Sequence, residues 1–233
     1  MLPVQYIGVA TGGVVGTVAT FPVPGGANRG DVMVAVLATS SRSTAVGLTA
    51  TSGRFGLTRL AVAETAPASS NGQVFVAART VDGTEAAAGV RMMLTAAPAN
   101  ARAIVLLYRG LIPALTDVQA ADVAASTSFT VPATTAARYS DLWLGVSYAS
   151  SGVTFTAPAS TAKRYDVAGA TGLAVFDRGW DVTGAIASKL AVASSAASGI
   201  AAGFMLSAEG LRAVDKVIRA GQPATIGLPV RGV

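Results

Sequence analysis

Apolar residues along this chain come in short alternating or continuous runs, each closed by a cluster of Gly, Pro, Ser or Asn. That pattern belongs to an all-β sandwich or barrel. The spacing predicts strands over Gln5 to Val9, Val14 to Phe21, Asp31 to Ala38, Leu57 to Ala63, Gln73 to Val81, Val90 to Thr95, Ala103 to Tyr108, Ser128 to Val131, Leu142 to Tyr148, Thr154 to Ala157, Gly172 to Asp177 and Ile200 to Leu206. In the strand at Asp141 to Tyr148, residues Leu142, Leu144, Val146 and Tyr148 share one face, and Trp143, Gly145 and Ser147 share the other. No helical period is sustained before residue 208.

The strand pattern is written twice. Phe21-Pro22-Val23-Pro24 precedes Asp31-Val32-Met33-Val34-Ala35-Val36, and Phe129-Thr130-Val131-Pro132 precedes Asp141-Leu142-Trp143-Leu144-Gly145-Val146. Each half then passes through a stretch carrying a phenylalanine, QVFVAARTV at 73–81 and GLAVFDRGW at 172–180, and closes with a strand pair, VRMMLTAAPANARAIVLLY and KLAVASSAASGIAAGFMLS. Two arrangements fit: a tandem pair of small domains, or one sandwich in which each half supplies strands to both sheets. The segment between the halves, LIPALTDVQAADVAAST, has no flexible Gly/Ser tract, which favours the single sandwich of two Greek-key halves, a jelly roll. Asp31 and Asp141 are expected to accept hydrogen bonds from turn amides where their strands begin.

Composition narrows what such a fold can do. The chain of 233 residues is 52% hydrophobic and 12% charged, yet its longest clean apolar runs, such as Ala103 to Tyr108, fall far short of the roughly 20 residues a spanning helix needs. Small residues raise the hydropathy, and membrane insertion is not expected. Cysteine and histidine are both absent, which removes disulfides, thiolate chemistry, zinc fingers and histidine triads. TGGVVG at 11–16 does not match a dinucleotide-binding fingerprint, and the abundant serines have no histidine to activate them, so no catalytic residue, metal or cofactor is expected. The formal net charge of +5 is carried by fourteen arginines and three lysines, the arginines scattered one at a time, among them Arg29, Arg42, Arg54, Arg59, Arg79, Arg91, Arg102 and Arg109, and a nucleic-acid partner is not expected. The start, MLPVQYIGVATGG, lacks the basic segment, apolar run and cleavage site of a secretory signal.

Val23-Pro24, Gly30-Asp31-Val32, Tyr108-Arg109-Gly110, Val131-Pro132, Asp141-Leu142 and Thr154-Phe155-Thr156-Ala157-Pro158 resemble the recurrent motifs of the jelly-roll domains found in phage virion proteins and in bacterial surface or secreted proteins. The likeness spans about residues 10 to 208. It departs where the family carries a Gly-Trp pair, since Gly53-Arg54-Phe55 and Ser160-Thr161-Ala162 stand there. The resemblance implies a non-enzymatic module of assembly or adhesion. Specifically, it implies a minor tail protein at a phage tail tip, made in the host cytoplasm without a signal peptide, whose partners are other virion proteins, copies of itself and a host-surface glycan. A capsid decoration protein or head fibre is the nearest alternative.

Residues 1–208 are therefore expected to form the sandwich, and 209–233 a separate arm. In the arm Ser207 would cap a short helix over Glu209 to Ile218, with Leu211, Val214, Val217 and Ile218 as its apolar stripe. An extended segment through Pro223, Pro229 and Arg231 would follow, and the whole arm is expected to dock on a neighbouring chain. A different class, a carbohydrate-binding module, would use Tyr165, Asp166, Asp177, Trp180 and Asp181, because an aromatic face stacks on a sugar ring while carboxylates accept its hydroxyl hydrogen bonds. A glycosidase would further need Asp177 and Asp181 facing each other across one cleft.

Overall fold

The computed structural model describes residues 4–40, 58–64, 72–83, 89–94, 96–180 and 182–208, with the backbone alone described over 58–64. Among them the chain is all-β, with sixteen strands and no helix. The expected helix over Glu209 to Ile218 and the arm residues Leu211, Val214, Ile218, Pro223, Pro229 and Arg231 lie outside the described residues. No helix among the described residues is long and apolar enough to cross a membrane.

The first half contributes β1 (Gln5–Thr11), β2 (Gly13–Val15), β3 (Val18–Phe21), β4 (Val32–Thr39), β5 (Thr58–Glu64), β6 (Gln73–Thr80), β7 (Val90–Met93) and β8 (Ala101–Arg109). The second contributes β9 (Leu111–Val131), β10 (Thr134–Ala136), β11 (Leu142–Ala149), β12 (Phe155–Thr156), β13 (Ala162–Val167), β14 (Gly172–Gly179), β15 (Gly184–Ile186) and β16 (Lys189–Ala208). The first half builds an antiparallel sheet in the order β1-β8-β4-β6-β5, and the second builds β9-β16-β11-β14-β13. Position by position these are the same sheet. Val32 and Leu142 open the matching strands, and the two strand bends recur at matching registers: between Tyr6 and Gly8 as between Leu115 and Asp117, and between Arg59 and Ala61 as between Lys163 and Tyr165.

The repeat read from the sequence is thus a repeat of whole sheets. The arrangement, however, is not one sandwich to which each half gives strands of both sheets. Each half keeps its large sheet to itself and covers that sheet's outer face with a smaller layer, β2-β3-β7 in the first half and β10, β15, β12 and the folded-over ends of β9 and β16 in the second. The physical reason lies in the outer layer: Phe21 and Met92 pack on Met33, Leu37, Phe75 and Leu107, while Phe129, Phe155 and Ile186 pack on Trp143, Phe176 and Met205. Each half therefore buries its own core, as the tandem arrangement would.

The inner faces of the two large sheets then meet in a third core. Val32, Val34, Val36, Val74, Val76, Ile104 and Leu106 of one half pack with Leu142, Leu144, Val146, Leu173, Val175, Phe204 and Leu206 of the other. Strand β1 lies against β13, where Arg164 stacks on Tyr6, and β5 lies against β9, so matching edges meet at opposite sides of the interface. Being buried on both faces, β4 and β11 have all eight residues buried, and only small or apolar side chains fit them. That burial on two sides accounts for a hydrophobic fraction of 52% without any membrane span.

Candidate functional site

The acids assigned to strand starts do what the sequence implies. Asp31 Oδ2 accepts the Asn28 amide at 2.9 Å, and Asp141 Oδ2 accepts the Arg138 amide at 2.9 Å and that of Ala137 at 3.1 Å. Around each, the same backbone pair forms: Gly30 N to Val81 O and Val81 N to Asp31 O in one half, Ser140 N to Trp180 O and Trp180 N to Asp141 O in the other. The turn requires left-handed backbone before the aspartate, at Gly30 with φ 96° and at Ser140 with φ 65°. Glycine adopts it freely, whereas serine holds it against a steric cost.

The two aspartates differ in charge balance. Arg109 donates Nε and Nη2 to Asp31 at 2.8 and 2.9 Å, and this guanidinium holds the carboxyl below its ordinary value of 3.8. In the second half Ser207 stands at the register of Arg109, the Ala208 amide lies 3.4 Å from Asp141 Oδ1, and burial pushes the Asp141 carboxyl up against the pull of its amide donors and of the Arg138 charge. The pH dependences have opposite sign. Asp31, depressed in the fold, contributes stability above pH 3.8 that is lost as the pH falls through its folded value; Asp141, raised, contributes most below pH 3.8 and loses that as the pH rises through its folded value. Urea unfolding should show Asp31→Asn costing more at pH 7 than at pH 3, and Asp141→Asn costing more at pH 3 than at pH 7. Parallel pH trends for the two variants would refute the assignment.

Among the described residues of the sugar-binding constellation, Tyr165, Asp166, Asp177 and Trp180 do not form one surface. In β14 side chains alternate between the cores: Leu173 and Val175 face the other half, Ala174 and Phe176 face the outer layer. Asp177 follows the first set and is 2% exposed, accepting Tyr108 Oη at 2.8 Å from the other half and Arg164 Nε at 2.8 Å. Burial first, and then the charge and hydrogen bond of Asp177, raise the Tyr108 hydroxyl well above its ordinary value, so it remains a donor. Tyr6 completes this cluster, edge-on to Tyr108 at 5.7 Å with the Arg164 guanidinium 4.2 Å above its ring. Asp166 is occupied in holding β12 to β13, accepting the Phe155 amide at 3.2 Å and Lys163 Nζ at 2.7 Å. Tyr165 packs on the inter-half core, Trp180 packs on the opposite core, and Asp181 lies outside the described residues.

What sequence reasoning passed over is a cluster of cations around Trp180. Arg178 Cζ lies 4.6 Å from the centre of the indole ring and Lys189 Nζ 5.4 Å from it. A signal for it is present in the repeat itself, because Arg79-Thr80-Val81 and Arg178-Gly179-Trp180 occupy matching registers. In the first half Val81 is buried, and Arg79, also buried, pairs with Asp82 at 3.3 Å. No group of three or more His, Cys, Asp or Glu that could hold a metal occurs among the described residues. In comparisons of the chain with protein-family models, curated proteins and solved structures, nothing matched.

Proposed function

We propose that this chain is a structural, non-enzymatic component of a bacteriophage particle, a minor tail protein at the tail tip that also touches the host surface. The observation that carries the reading is the duplicated, doubly covered sheet, in which Asp31 and Asp141 hold the turns and Tyr108, Arg164 and Asp177 hold the joint between the halves. Each half further fits the jelly-roll class named by the sequence motifs. Its first and last strands pair, the large sheet runs β1-β8-β4-β6 in one half and β9-β16-β11-β14 in the other, and the intervening strands cross to the smaller layer. On this reading the partners are other virion proteins and further copies of the chain, with residues 209–233 as the arm that docks on a neighbour.

Immunogold labelling of intact particles, with antibody raised against residues 1–208, tests it. Gold confined to the tail end is the expected result. Gold over the head would make the chain a decoration protein or head fibre, and particles free of label would remove the virion reading.

A further inference from the structure

Two cations, Arg178 and Lys189, lie against the ring of Trp180. Arg178 and Lys189 are held against one ring, which places their charges within about 10 Å of each other. Among the described residues neither has a carboxylate within 4.0 Å. Asp141, whose backbone carbonyl accepts the Trp180 amide, is fully buried with its side-chain oxygens taken by the amides of Ala137, Arg138 and Ala208. The first half shows that the fold does not need this arrangement, since the matching Arg79 is buried and neutralised by Asp82.

We infer that Arg178, Trp180 and Lys189 form a binding site for an anionic polysaccharide, one bearing carboxylate or phosphate groups along a sugar chain. Stacking on the indole holds the Arg178 guanidinium planar side in place and leaves its N–H edge for a two-point contact with an oxyanion, and Lys189 supplies a second charge for the next acidic group. Tyr139, 56% exposed, belongs to the same turn through the Ser140 to Trp180 hydrogen bond and offers an apolar ring to a sugar face. A single strand of nucleic acid is less well served, because it needs successive aromatic platforms along a basic groove, and the remaining cations are dispersed.

The contact chemistry rests on the cluster alone; only the biological source of the polymer, a host surface, rests on the tail-tip reading. The test is calorimetric titration of the full chain with polygalacturonate, with poly(glycerol phosphate), with neutral dextran and with a single-stranded DNA homopolymer, alongside tryptophan emission. Trp143 is buried, so quenching reports Trp180. Binding to one or both anionic glycans, weakened at least about tenfold in R178Q/K189Q and little changed in R29Q/R91Q, is expected, and the preferred polymer identifies the acidic group. R178K, which keeps the charge and loses the fork, should fall between. Absence of binding to both anionic glycans, equal binding of dextran, equal loss in the two double variants, or tighter DNA binding through the same residues would each overturn the proposal. None of these outcomes bears on where gold falls on the particle, so the two readings fail separately.

Discussion

Replacing Asp177 by alanine should lower stability by about 3 kcal/mol, the lower end of what breaking a buried ion pair costs, because Arg164 is 30% exposed along its side chain and can turn to water. The Tyr108 hydroxyl cannot. It is fully buried, and with Asp177 gone it loses its acceptor and carries the desolvation cost alone. For a chain of this size the loss corresponds to a fall in melting midpoint of roughly 6–12 °C. The repeat supplies a sharper form of the test. On the opposite side of the interface, the register positions matching Tyr6, Tyr108 and Asp177 are occupied by Leu115, Leu206 and Ala78. The same joint is therefore built once with polar residues and once with apolar ones, and replacing a complete buried polar group with apolar residues is often neutral. Tyr108→Phe, Arg164→Leu and Asp177→Ala combined should recover at least half of what Asp177→Ala alone loses. A triple variant less stable than the single one would show that the polar cluster is worth more than the sum of its satisfied bonds.

Strand existence was legible in the sequence because β4, β6, β8, β11 and β14 are bounded by turn residues on both sides. The faces of β11 could be assigned from alternation alone: Leu142, Leu144, Val146 and Tyr148 meet the other half, and Trp143 and Ala149 meet the outer layer. The match of QVFVAARTV with GLAVFDRGW is also the structural match, residue for residue. What the sequence could not show was which layer each strand joins. In β9 and β16 one continuous run of residues serves both the large sheet and its cover, separated only by irregular pairing between Val123 and Ser128. An apolar pattern marks that a residue is buried, not which of three cores receives it. The same ambiguity misplaced Asp177. A carboxylate near Trp180 in sequence looks like its neighbour in space, yet three residues along a strand put the two on opposite faces, and the partner that fixes Asp177 is 69 residues away at Tyr108.

The largest single effect is expected at Trp143. Its ring lies over the backbone at Gly145, and Gly145 is paired in register with Gly203 on β16, so the indole occupies a floor made by two glycines. A Cβ at Gly145 would collide with the ring, and one at Gly203 would stand 3.0 Å from Thr134 Cγ2, 3.1 Å from Val131 Cγ1 and 3.5 Å from Trp143 Nε1. Trp143→Ala should cost about 3–5 kcal/mol, since it empties the space between the large sheet and its cover. Gly145→Ala should cost about 1–3 kcal/mol by forcing the ring from a site already closely packed. The two changes share one contact and so should not add. With Trp143 already shortened to alanine, Gly145→Ala finds open space and should cost less than it does beside the indole. Urea unfolding of the two single variants and the double variant measures this directly, and strict additivity would mean that the glycine is kept for its backbone and not for the ring above it. The indole nitrogen adds a further asymmetry: it is buried without an acceptor, so Trp143→Phe, which removes that donor while keeping an aromatic ring, should cost clearly less than Trp143→Ala.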